Sequence, residues 1–437
     1  MTAERGAPGP PVRRVDVLVV GAGPAGLAAA ARLAASGAGR VEVLEREQEA
    51  GGVPRHCAHG GFGTRAHPLT GPAYARLLTK AAERSGAVIR TGVTVLDWGV
   101  TGVPESVAAP GAADRDVPPC PVLTAVGPGG PETVEARAVV LATGARERPR
   151  TARLVPGTRP AGVYTTGELQ QSVHLFGQRV GTRAVVVGAE GVSYAAADTV
   201  RAAGAEVVAL VTEQPRAHVP AFRAQSVRLR RRVPLLTDTT VTELLGHGRL
   251  SGVRVRHRDG RTTVLACDTV VFTGDFVPEH ELARRGALVP DPGTRGPAVD
   301  GALHTSRPGV FAAGNVLHAV EPAGTAAREG ARAARAVLDL LAGGAWPGPG
   351  VPLTVEAPLR WIAPNRVTPA ARPERYVLRD DALSPRPAVL RVHQDGRLLH
   401  RERPWPGALL PHRPLTLTAR WHDRVDPGGG EVRVSRG

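Results

Sequence analysis

Residues 15–45 read VDVLVVGAGPAGLAAAARLAASGAGRVEVLE, which joins an apolar run, a glycine-rich turn, an alanine-rich run and a second apolar run. The pattern predicts a strand over Val15–Val20, a helix to about Ser36, and a second strand over Val41–Leu44 that leads into Glu45. A G-x-G-x-x-G turn between such a strand and such a helix is typical of dinucleotide-binding units. The stretch therefore predicts an α/β fold built around a parallel sheet.

Each glycine of this turn has its own expected role. Gly21 permits the tight turn, Gly23 lets the backbone approach a pyrophosphate, and Gly26 lets the helix and strand pack closely. The helix N-terminus offers amide donors and a positive dipole end to phosphates, and Glu45 is placed to accept hydrogen bonds from ribose hydroxyls. The unit predicts a nucleotide site. A glycine-rich turn without a ligand is the alternative.

Two later strands end in small residues: residues 137–149 read RAVVLATGARERP and residues 305–315 read TSRPGVFAAGN. With them, the sequence resembles the two-dinucleotide-domain flavoproteins, the broad family of the pyridine-nucleotide disulfide reductases, over about residues 14–345. The resemblance implies that the first loop holds FAD and that the late segment binds its ribityl and phosphate groups. Asn315 stands where this family usually has an aspartate, and it keeps the hydrogen-bonding capacity without the charge.

The motif and the resemblance together assign a set of small and polar residues to FAD. They are Gly21, Gly23, Pro24, Gly26, Glu45, Gly52, Thr143, Gly144, Gly314 and Asn315.

Residues 183–213, RAVVVGAEGVSYAAADTVRAAGAEVVALVTE, repeat the strand–turn–helix–strand pattern and end at Glu213. In the related flavoproteins this second unit binds NAD(P)H. Here Glu190 replaces the second glycine of the turn and Ser193 replaces the third. A carboxylate at that point repels phosphates at a cost of several kcal/mol, on the order expected for near-contact charges in a cleft. NAD(P) binding is therefore doubtful. A site that works after loop movement, with Glu213 favouring NADH, remains the alternative.

The remaining sequence predicts β-structure. Val241–Leu245, Gly252–Arg256 and Thr262–Ala266 are expected to form a β-meander, and short alternating apolar segments after residue 350 predict a small C-terminal β-rich domain. The fold class is then α/β with two Rossmann-like domains, the second inserted in the first. We predict an FAD-binding domain at 14–150 and 298–345, an inserted NAD(P)-binding-like domain at 151–297, and a C-terminal domain at 346–437.

Residues 51–63 read GGVPRHCAHGGFG. In disulfide reductases the paired glycines after the second strand lead to the redox cysteines beneath the flavin, so the resemblance places residues 53–63 against the isoalloxazine ring. Cys57 has no second cysteine close in sequence, and an internal dithiol cycle needs two sulfurs. Disulfide reductase activity is therefore not expected.

The longer stretch GGVPRHCAHGGFGTRAHPLTGPAYARLL resembles a narrower group, the FAD subunits of hydrogen cyanide synthase, opine oxidase and hydroxyproline dehydrogenase type. This resemblance implies oxidation of an amine or amino acid, or electron relay for a partner subunit. His56 and His59 are candidate proton carriers. Arg55 is a candidate ligand for a substrate carboxylate or for the negative charge of reduced flavin, and Cys57 is a group that packs on the ring, tunes it or forms an adduct with it. Purely local structural roles are the alternative for all four residues.

Composition excludes several other classes. The 437 residues carry a formal net charge of +15, but Lys80 is the only lysine and aromatic residues make up 3%. Arginine spread beside alanine, glycine and proline reflects genome composition, and so few aromatics argue against a nucleic-acid surface. The densest run, Arg228 and Arg230 to Arg232, is predicted to be a solvated helix face. Three cysteines without paired spacing predict no metal site and a cytoplasmic protein. No apolar run is long enough to span a membrane.

The sequence thus predicts an FAD-dependent oxidoreductase that oxidises a small amine or amino acid, or that relays electrons as a subunit of such a dehydrogenase. Its expected partners are the small-molecule substrate and either a partner dehydrogenase subunit or further copies of the chain. A non-catalytic flavin-binding scaffold or regulatory subunit, and an NADH-dependent flavin reductase, are the alternative functions.

Overall fold

The computed structural model describes residues 12–64, 66–99, 120–219, 224–225, 232–319, 321–380, 389–404 and 414–437. The first glycine-rich stretch forms β1 (Val12–Val20), α1 (Pro24–Ala35) and β2 (Val41–Glu45). The apolar end of β1 is almost completely buried, as expected for a parallel strand that is covered on both faces. The predicted strand–helix–strand unit is confirmed, and its first strand begins three residues earlier than predicted.

The chain that follows completes the first sheet. It forms a short 3₁₀ helix (Val53–His56), β3 (Phe62–Gly63), β4 (Pro68–Leu69), α2 (Gly71–Arg84), β5 (Val88–Thr91), β6 (Thr94–Trp98), β7 (Val122–Gly127) and β8 (Gly130–Leu141). β1 lies between β2 and β8 and runs parallel to both, and β5 extends the sheet beyond β2. β6, β7 and β8 form an antiparallel meander at the other end.

A second parallel sheet follows. The chain continues through β9 (Ala145–Glu147), a 3₁₀ helix (Arg150–Arg153), β10 (Val163–Thr165), α3 (Thr166–His174), β11 (Arg183–Val187), α4 (Gly191–Ala202), β12 (Glu206–Val211), β13 (Leu235–Leu236), β14 (Thr239–Leu245), β15 (Gly252–His257), β16 (Thr262–Ala266) and β17 (Thr269–Phe272). The parallel strand order is β10, β17, β11, β12, β13. The predicted meander is confirmed as β14 to β16.

The chain then returns to the first sheet through β18 (Phe276–Pro278), α5 (Glu281–Arg285), β19 (Val310–Ala312), a 3₁₀ helix (Gly314–Val316) and α6 (Ala323–Leu341). β19 pairs in parallel with β8, although the whole second sheet separates them in sequence. β9 and β18 pair with each other where the chain leaves and re-enters the first unit. The second Rossmann-like unit is therefore inserted in the first.

In the part of the C-terminal region that the structure describes, all regular elements are strands apart from one 3₁₀ turn. It contains β20 (Val351–Val355), β21 (Leu359–Ala363), β22 (Arg366–Val367), β23 (Arg375–Asp380), β24 (Leu390–Gln394), β25 (Arg397–Glu402), β26 (Leu415–Thr418), the 3₁₀ helix His422–Arg424 and β27 (Val432–Arg436). Its two sheets share one core, in which the rings of Tyr376 and Trp421 stack with centroids 5.0 Å apart. The predicted fold class is confirmed. The division into domains at residues 150, 297 and 345 stays a prediction.

Two further sequence predictions concern the surface. Arg228, Arg230 and Arg231 of the predicted solvated helix face lie outside the described residues, while Arg232 is exposed and not helical. Within the described ranges, no helix is both long enough and apolar enough to cross a membrane.

Candidate active site

A cavity of about 1860 Å³ connects the two Rossmann-like units and the C-terminal region. It lies outside the carboxyl ends of β1, β2, β11 and β12, where open α/β sheets bind their ligands. Pockets for single drug-sized ligands hold roughly 300–1,000 Å³. The cavity therefore has room for a dinucleotide and for a second, smaller ligand.

The first glycine loop leaves no space for side chains except on the side that faces the cavity. A Cβ on Gly21, whose φ is +102°, would lie 2.5 Å from the carbonyl oxygen of Ala142, and one on Gly26 would lie 1.9 Å from that of Gly21. A Cβ on Gly23, which lines the cavity, would meet nothing within 4 Å among the described residues. The backbone at Gly23 is thus open to close approach by a ligand.

The start of α1 is suited to an anion. Gly23 is its N-cap and has no side chain with which to satisfy the first amides, and Pro24 follows at the first helical position. Amides that no side chain caps, together with the positive end of the helix dipole, form an anion site at the cavity wall. These residues fit the pyrophosphate of a dinucleotide.

Glu45 holds this loop in place. Its Oε2 accepts a hydrogen bond of 2.8 Å from the amide of Ala22, and its Oε1 accepts one of 2.9 Å from the amide of Glu47. Each carboxylate oxygen keeps a further lone pair for a ribose hydroxyl. Sequence reasoning predicted only the ribose contact and missed the structural one.

Eight of the ten residues assigned to FAD line the cavity. The other two pack on residues that line it, Gly26 on the carbonyl of Gly21 and Gly314 on the side chain of Ala25. Gly52 packs on the first loop, because a Cβ there would be 2.8 Å from the Cα of Gly23. Thr143 donates a hydrogen bond of 2.7 Å to the carbonyl of Glu279, and Gly144 follows with a φ of +80°. The structure thus brings the predicted set together around one space.

Asn315 is bonded through both ends of its side-chain amide. Its Oδ1 accepts from the amide of Glu321 at 2.8 Å, and its Nδ2 donates to the carbonyl of the same residue at 3.2 Å. An aspartate could make only the first bond because an ionised carboxylate is acceptor-only. The asparagine therefore fixes the segment before α6.

The four candidate catalytic residues all line the cavity but differ in exposure. His56 and Cys57 are buried, whereas His59 is half-buried and its Nδ1 lies 2.7 Å from the carbonyl oxygen of Gly60. Arg55 pairs with Glu49 at 3.1 Å. The Cys57 thiol donates to the Oε1 atom of Gln170 on α3 at 3.4 Å. The segment is thus joined to the second unit.

Burial controls the protonation of the two buried candidates. It lowers the pKa of His56 to about 4, with contributions from the charges of Arg55 and His174. It raises the pKa of Cys57 to about 12, and the nearby Glu147 adds to the effect. At neutral pH the pair is therefore a neutral imidazole and a protonated thiol. His56 is a weak base, and Cys57 is a poor nucleophile because the thiolate is the reactive form.

Glu147, at the end of β9, is a functional candidate that sequence reasoning missed. It lines the cavity and is 9% exposed. Its Oε2 accepts a 2.8 Å hydrogen bond from the amide of Gly167, while its Oε1 has no hydrogen-bond partner among the described residues. Burial raises the pKa of Glu147 to about 7. Its place three residues after the Ala-Thr-Gly segment was the only available signal.

The second glycine loop is closed by its own side chain. Glu190 precedes α4, and its carboxylate accepts hydrogen bonds from the amide of Ala189 and the hydroxyl of Thr273, both at 2.9 Å. Ser193 accepts from the amide of Glu190 at 3.2 Å and lies 2.7 Å from the hydroxyl oxygen of Thr273. Loop groups that would face a pyrophosphate are thus already bonded to Glu190 or to its neighbours.

The C-terminal region supplies one wall of the cavity, which sequence reasoning did not anticipate. Arg379 of β23 forms a buried ion pair with Glu321 and lies over the ring of Trp361, 5.4 Å from its centroid. Trp361 stacks on His318 at 5.7 Å, and His318 pairs with Glu329 at 2.9 Å. These contacts link the β-rich region to the segment that carries Asn315.

No group of three or more His, Cys, Asp or Glu side chains within the described ranges is arranged to hold a metal ion. The three cysteines, all of which are described, form no disulfide.

Comparisons with known proteins agree with this architecture. The sequence profile of the family described as pyridine nucleotide-disulphide oxidoreductase matches residues 15–330. The chain is 31% identical over 288 residues to the alpha subunit of sarcosine oxidase from Corynebacterium sp. (strain U-96), a match that covers 62% of the chain and 28% of that subunit. It is 29% identical over 323 residues to an opine oxidase subunit from Rhizobium meliloti, covering 69% of the chain and 58% of that subunit.

Among solved structures, thioredoxin reductase of T. acidophilum superimposes with a TM-score of 0.61 at 24% identity, covering 76% of this chain and 99% of that one. At that identity the likeness concerns the fold alone. The chain spans less than two thirds of the length of either oxidase subunit.

Proposed function

Because the chain belongs to the pyridine nucleotide-disulphide oxidoreductase family, we propose that it is an FAD-dependent oxidoreductase that oxidises an amine or amino acid, or relays electrons as a subunit of such a dehydrogenase. The observation that supports this most directly is the difference between the two glycine loops. The first is open at Gly23, and the second is filled by the carboxylate of Glu190. The cavity therefore fits one dinucleotide, bound through the amide donors of the first loop.

FAD would be held by the residues around the first loop. The first-turn amides of α1 would take the pyrophosphate, Glu45 the ribose, and the segment at Asn315 the ribityl chain. When bound, FAD supplies a two-electron acceptor for a substrate C–H bond. This chain's own residues position the substrate, exclude water and carry the substrate proton.

The proposed substrate class rests on two relatives whose names include sarcosine and opine oxidase, both amine-type oxidases. In this chain, Arg55 at the cavity wall is suited to a substrate carboxylate, because a guanidinium binds carboxylates through paired donors. A ligand with both an amine and a carboxylate would suit a cavity that carries acidic and basic side chains.

We do not propose disulfide reduction. Cys57 is the only cysteine in the segment predicted to lie against the flavin, and burial raises the pKa of its thiol to about 12. Attack on a disulfide requires a thiolate, which such a group does not provide near neutral pH.

NAD(P)H is not proposed as the electron donor either. Its pyrophosphate would have to displace Glu190 from Ala189 and Thr273, or accept its charge at short range. Both alternatives oppose binding. A flavin reductase driven by NADH is therefore the weaker candidate.

A flavin-binding subunit without its own substrate is the second candidate, because both relatives are named as subunits of larger oxidases. Anaerobic reduction of the FAD-loaded protein separates the two. Under the proposal, at least one member of a panel of sarcosine, L-proline, nopaline and octopine bleaches the flavin in the isolated chain, and NADH added to a parallel sample does not. Bleaching by NADH alone would favour the flavin reductase. Bleaching by none of these compounds would favour the subunit.

A further inference from the structure

The wall of the cavity between Cys57 and Glu190 contains two buried polar side-chain atoms that make no well-formed hydrogen bond to any described residue. They are Oε1 of Glu147 and Oγ1 of Thr166, the first residue of α3. Both residues line the cavity and are 9% and 2% exposed, and the Thr166 hydroxyl is close enough to the Glu147 carboxylate to lower its pKa by hydrogen bonding. Buried polar atoms are nearly always fully paired, so a carboxylate oxygen and a hydroxyl that have at most each other point to a ligand with hydrogen-bond donors.

The charges around this wall favour a cation. Glu147 and Glu190 both belong to it, and Arg153 is the positive group whose charge acts on both. Each nitrogen of the Arg153 guanidinium donates to a backbone carbonyl, namely those of Arg148, Thr273 and Gly274. Arg153 is therefore fixed to the chain that joins the two units. Asp275 and Arg148, whose charges also act on Arg153, pair with each other at 3.0 Å. When Glu147 is ionised, the two carboxylates and one guanidinium therefore leave one negative charge, which a single cationic group would balance.

The neighbouring groups show which side of this wall faces the predicted flavin position and which side faces the second loop. Cys57 lies close enough for the charge of Glu147 to act on its thiol, and it belongs to the segment predicted to lie against the flavin. Glu190, on the other side, fills the second loop. A ligand atom at Glu147 would thus lie between the predicted flavin position and the closed loop.

We propose that Glu147, together with Thr166, binds the amine group of the substrate and accepts its proton. The inference rests on the proposed function for its ligand class, a primary or secondary alkylammonium. In the proton-transfer step an N–H bond of the ammonium breaks and an O–H bond forms on the Glu147 carboxylate. The electron pair stays on nitrogen, which leaves the neutral amine that flavin oxidation requires. A carboxyl group whose pKa is about 7 is matched to this transfer at neutral pH, whereas His56, with a pKa of about 4, is not.

The test uses ligand pairs that differ only at the amine. Sarcosine is compared with methoxyacetate, and L-proline with tetrahydrofuran-2-carboxylate, so that oxygen replaces nitrogen in each pair. Binding to the FAD-loaded full chain is measured by anaerobic calorimetry after the flavin has been photoreduced, so that no ligand is oxidised. We expect at least one amine to bind about 10- to 100-fold more tightly than its oxygen analogue, the range expected for a charge-assisted hydrogen bond.

Two variants locate the effect. Glu147→Gln should abolish the preference for the amine, and Glu206→Gln, which removes an exposed carboxylate of the second Rossmann-like unit, should keep it. FAD content is measured for each variant, so that a misfolded protein is recognised. A preference that survives in Glu147→Gln overturns the proposal.

A measurement on the unaltered chain covers the case in which Glu147→Gln does not fold. Amine binding at pH 7 should release part of a proton, because a Glu147 carboxyl with a pKa of about 7 is partly protonated there and ionises when the cation binds. Calorimetry in two buffers of different ionisation enthalpy measures this number. Amines that bind no better than their oxygen analogues, or that bind without proton release, overturn the proposal.

The outcomes separate this inference from the proposed function. Amines that bind through Glu147 but never reduce the oxidised flavin would count against the proposed function alone. Amines that reduce the flavin of Glu147→Gln as fast as that of the unaltered chain would count against this inference alone.

Discussion

The carboxylate of Glu190 accepts a hydrogen bond of 2.9 Å from the hydroxyl of Thr273, across the mouth of the second glycine loop. The corresponding position of the first loop is Gly23, where a Cβ would meet nothing within 4 Å among the described residues. The two Rossmann-like units thus share a backbone design but differ in whether their phosphate donors are available. This difference underlies the first prediction.

Glu190→Gly should open the second loop to NADH. The substitution removes a negative charge from the pyrophosphate position and frees the amide of Ala189 and the hydroxyl of Thr273. We expect the affinity for NADH to rise about 100-fold, which corresponds to roughly 3 kcal/mol. Titration of the FAD-loaded protein with NADH, followed by quenching of tryptophan fluorescence, measures the change.

Glu190→Gln is the second variant to test, because it removes the negative charge but keeps the shape of the side chain. An intermediate gain is expected from it, and none from the exposed Glu206→Gln. Rapid bleaching of the unaltered flavoprotein by micromolar NADH would show that the loop moves aside and that the proposed obstacle does not exist. Equal affinities in all the proteins would locate the obstacle elsewhere, for instance at Ser193.

The sequence alone predicts the first glycine loop well because its constraints are local. Gly21 and Gly26 are required by contacts within a strand, a turn and a helix that are adjacent in the chain. The obstruction at Glu190 follows from the same motif, since a repeat of the pattern shows which glycine is missing. The insertion of the second unit came from the order of these motifs, and the pairing of β8 with β19 confirms it.

Residues joined only by tertiary contacts were missed. Glu147 gains its unusual environment from burial, from Gly167 and Glu190, which are distant in sequence, and from Arg153 on the 3₁₀ helix that follows β9. Nothing in the tail indicated that Arg379 would reach Glu321, because single charged residues in an arginine-rich strand carry no periodic signal. Burial of an isolated ionisable group is a property of the folded chain, so local pattern cannot predict it.

Gly23→Val and Gly26→Val should fail in different ways. Gly23 has open space beside it, so a valine there should leave the fold intact while blocking the approach of the FAD pyrophosphate. Gly26 lies against the carbonyl of Gly21, where a Cβ would be 1.9 Å away, so its valine variant should not fold. Circular dichroism and the flavin released on denaturation distinguish a folded, colourless protein from an unfolded one. A yellow Gly23→Val protein would contradict the FAD assignment.

Arg379 lies outside the Rossmann-like units, but Arg379→Met should nevertheless weaken FAD binding. It leaves the buried Glu321 carboxylate without this guanidinium, and the backbone of Glu321 holds the side chain of Asn315. Removing one member of a buried pair typically costs about 3–5 kcal/mol. We expect a lower melting temperature and a raised Kd for FAD. The double variant Arg379→Met/Glu321→Gln should recover part of both. Arg372→Met, which breaks an exposed pair on the same domain, is the matched control.

The stability of the folded chain should depend on pH through Glu147. Burial and the charge of Glu190 raise the pKa of Glu147 from 4.5 to about 7, against the opposing charge of Arg153. The folded state therefore holds this proton up to about pH 7, and the unfolded state loses it near pH 4.5. The contribution to stability is complete below pH 4.5 and is lost as the pH rises through 7.

The change for Glu147 is on the order of 3 kcal/mol. The nearby His56, whose pKa is lowered to about 4, acts in the opposite sense in the unaltered chain, and the thiol of Cys57 stays protonated throughout this range. The comparison is therefore made between Glu147→Gln and the unaltered chain. Relative to the latter, the variant should gain stability between pH 5 and 8 in urea unfolding. A constant difference across that range would show that Glu147 titrates normally.

The segment 55–59 should act through positioning and not through thiol chemistry. Cys57→Ser keeps a donor for Gln170 and should retain FAD and most substrate-driven flavin reduction. Arg55→Ala should lose more, because it removes the proposed carboxylate ligand, and we expect about a 10²-fold lower rate at low substrate concentration. His56→Ala reports on proton transfer. A 10²-fold loss would mark it as the acid–base group, in place of Glu147. Single-turnover reduction with the reactive amine compares the three variants. An inactive Cys57→Ser beside normal Arg55 and His56 variants would show that the sulfur takes part in the reaction.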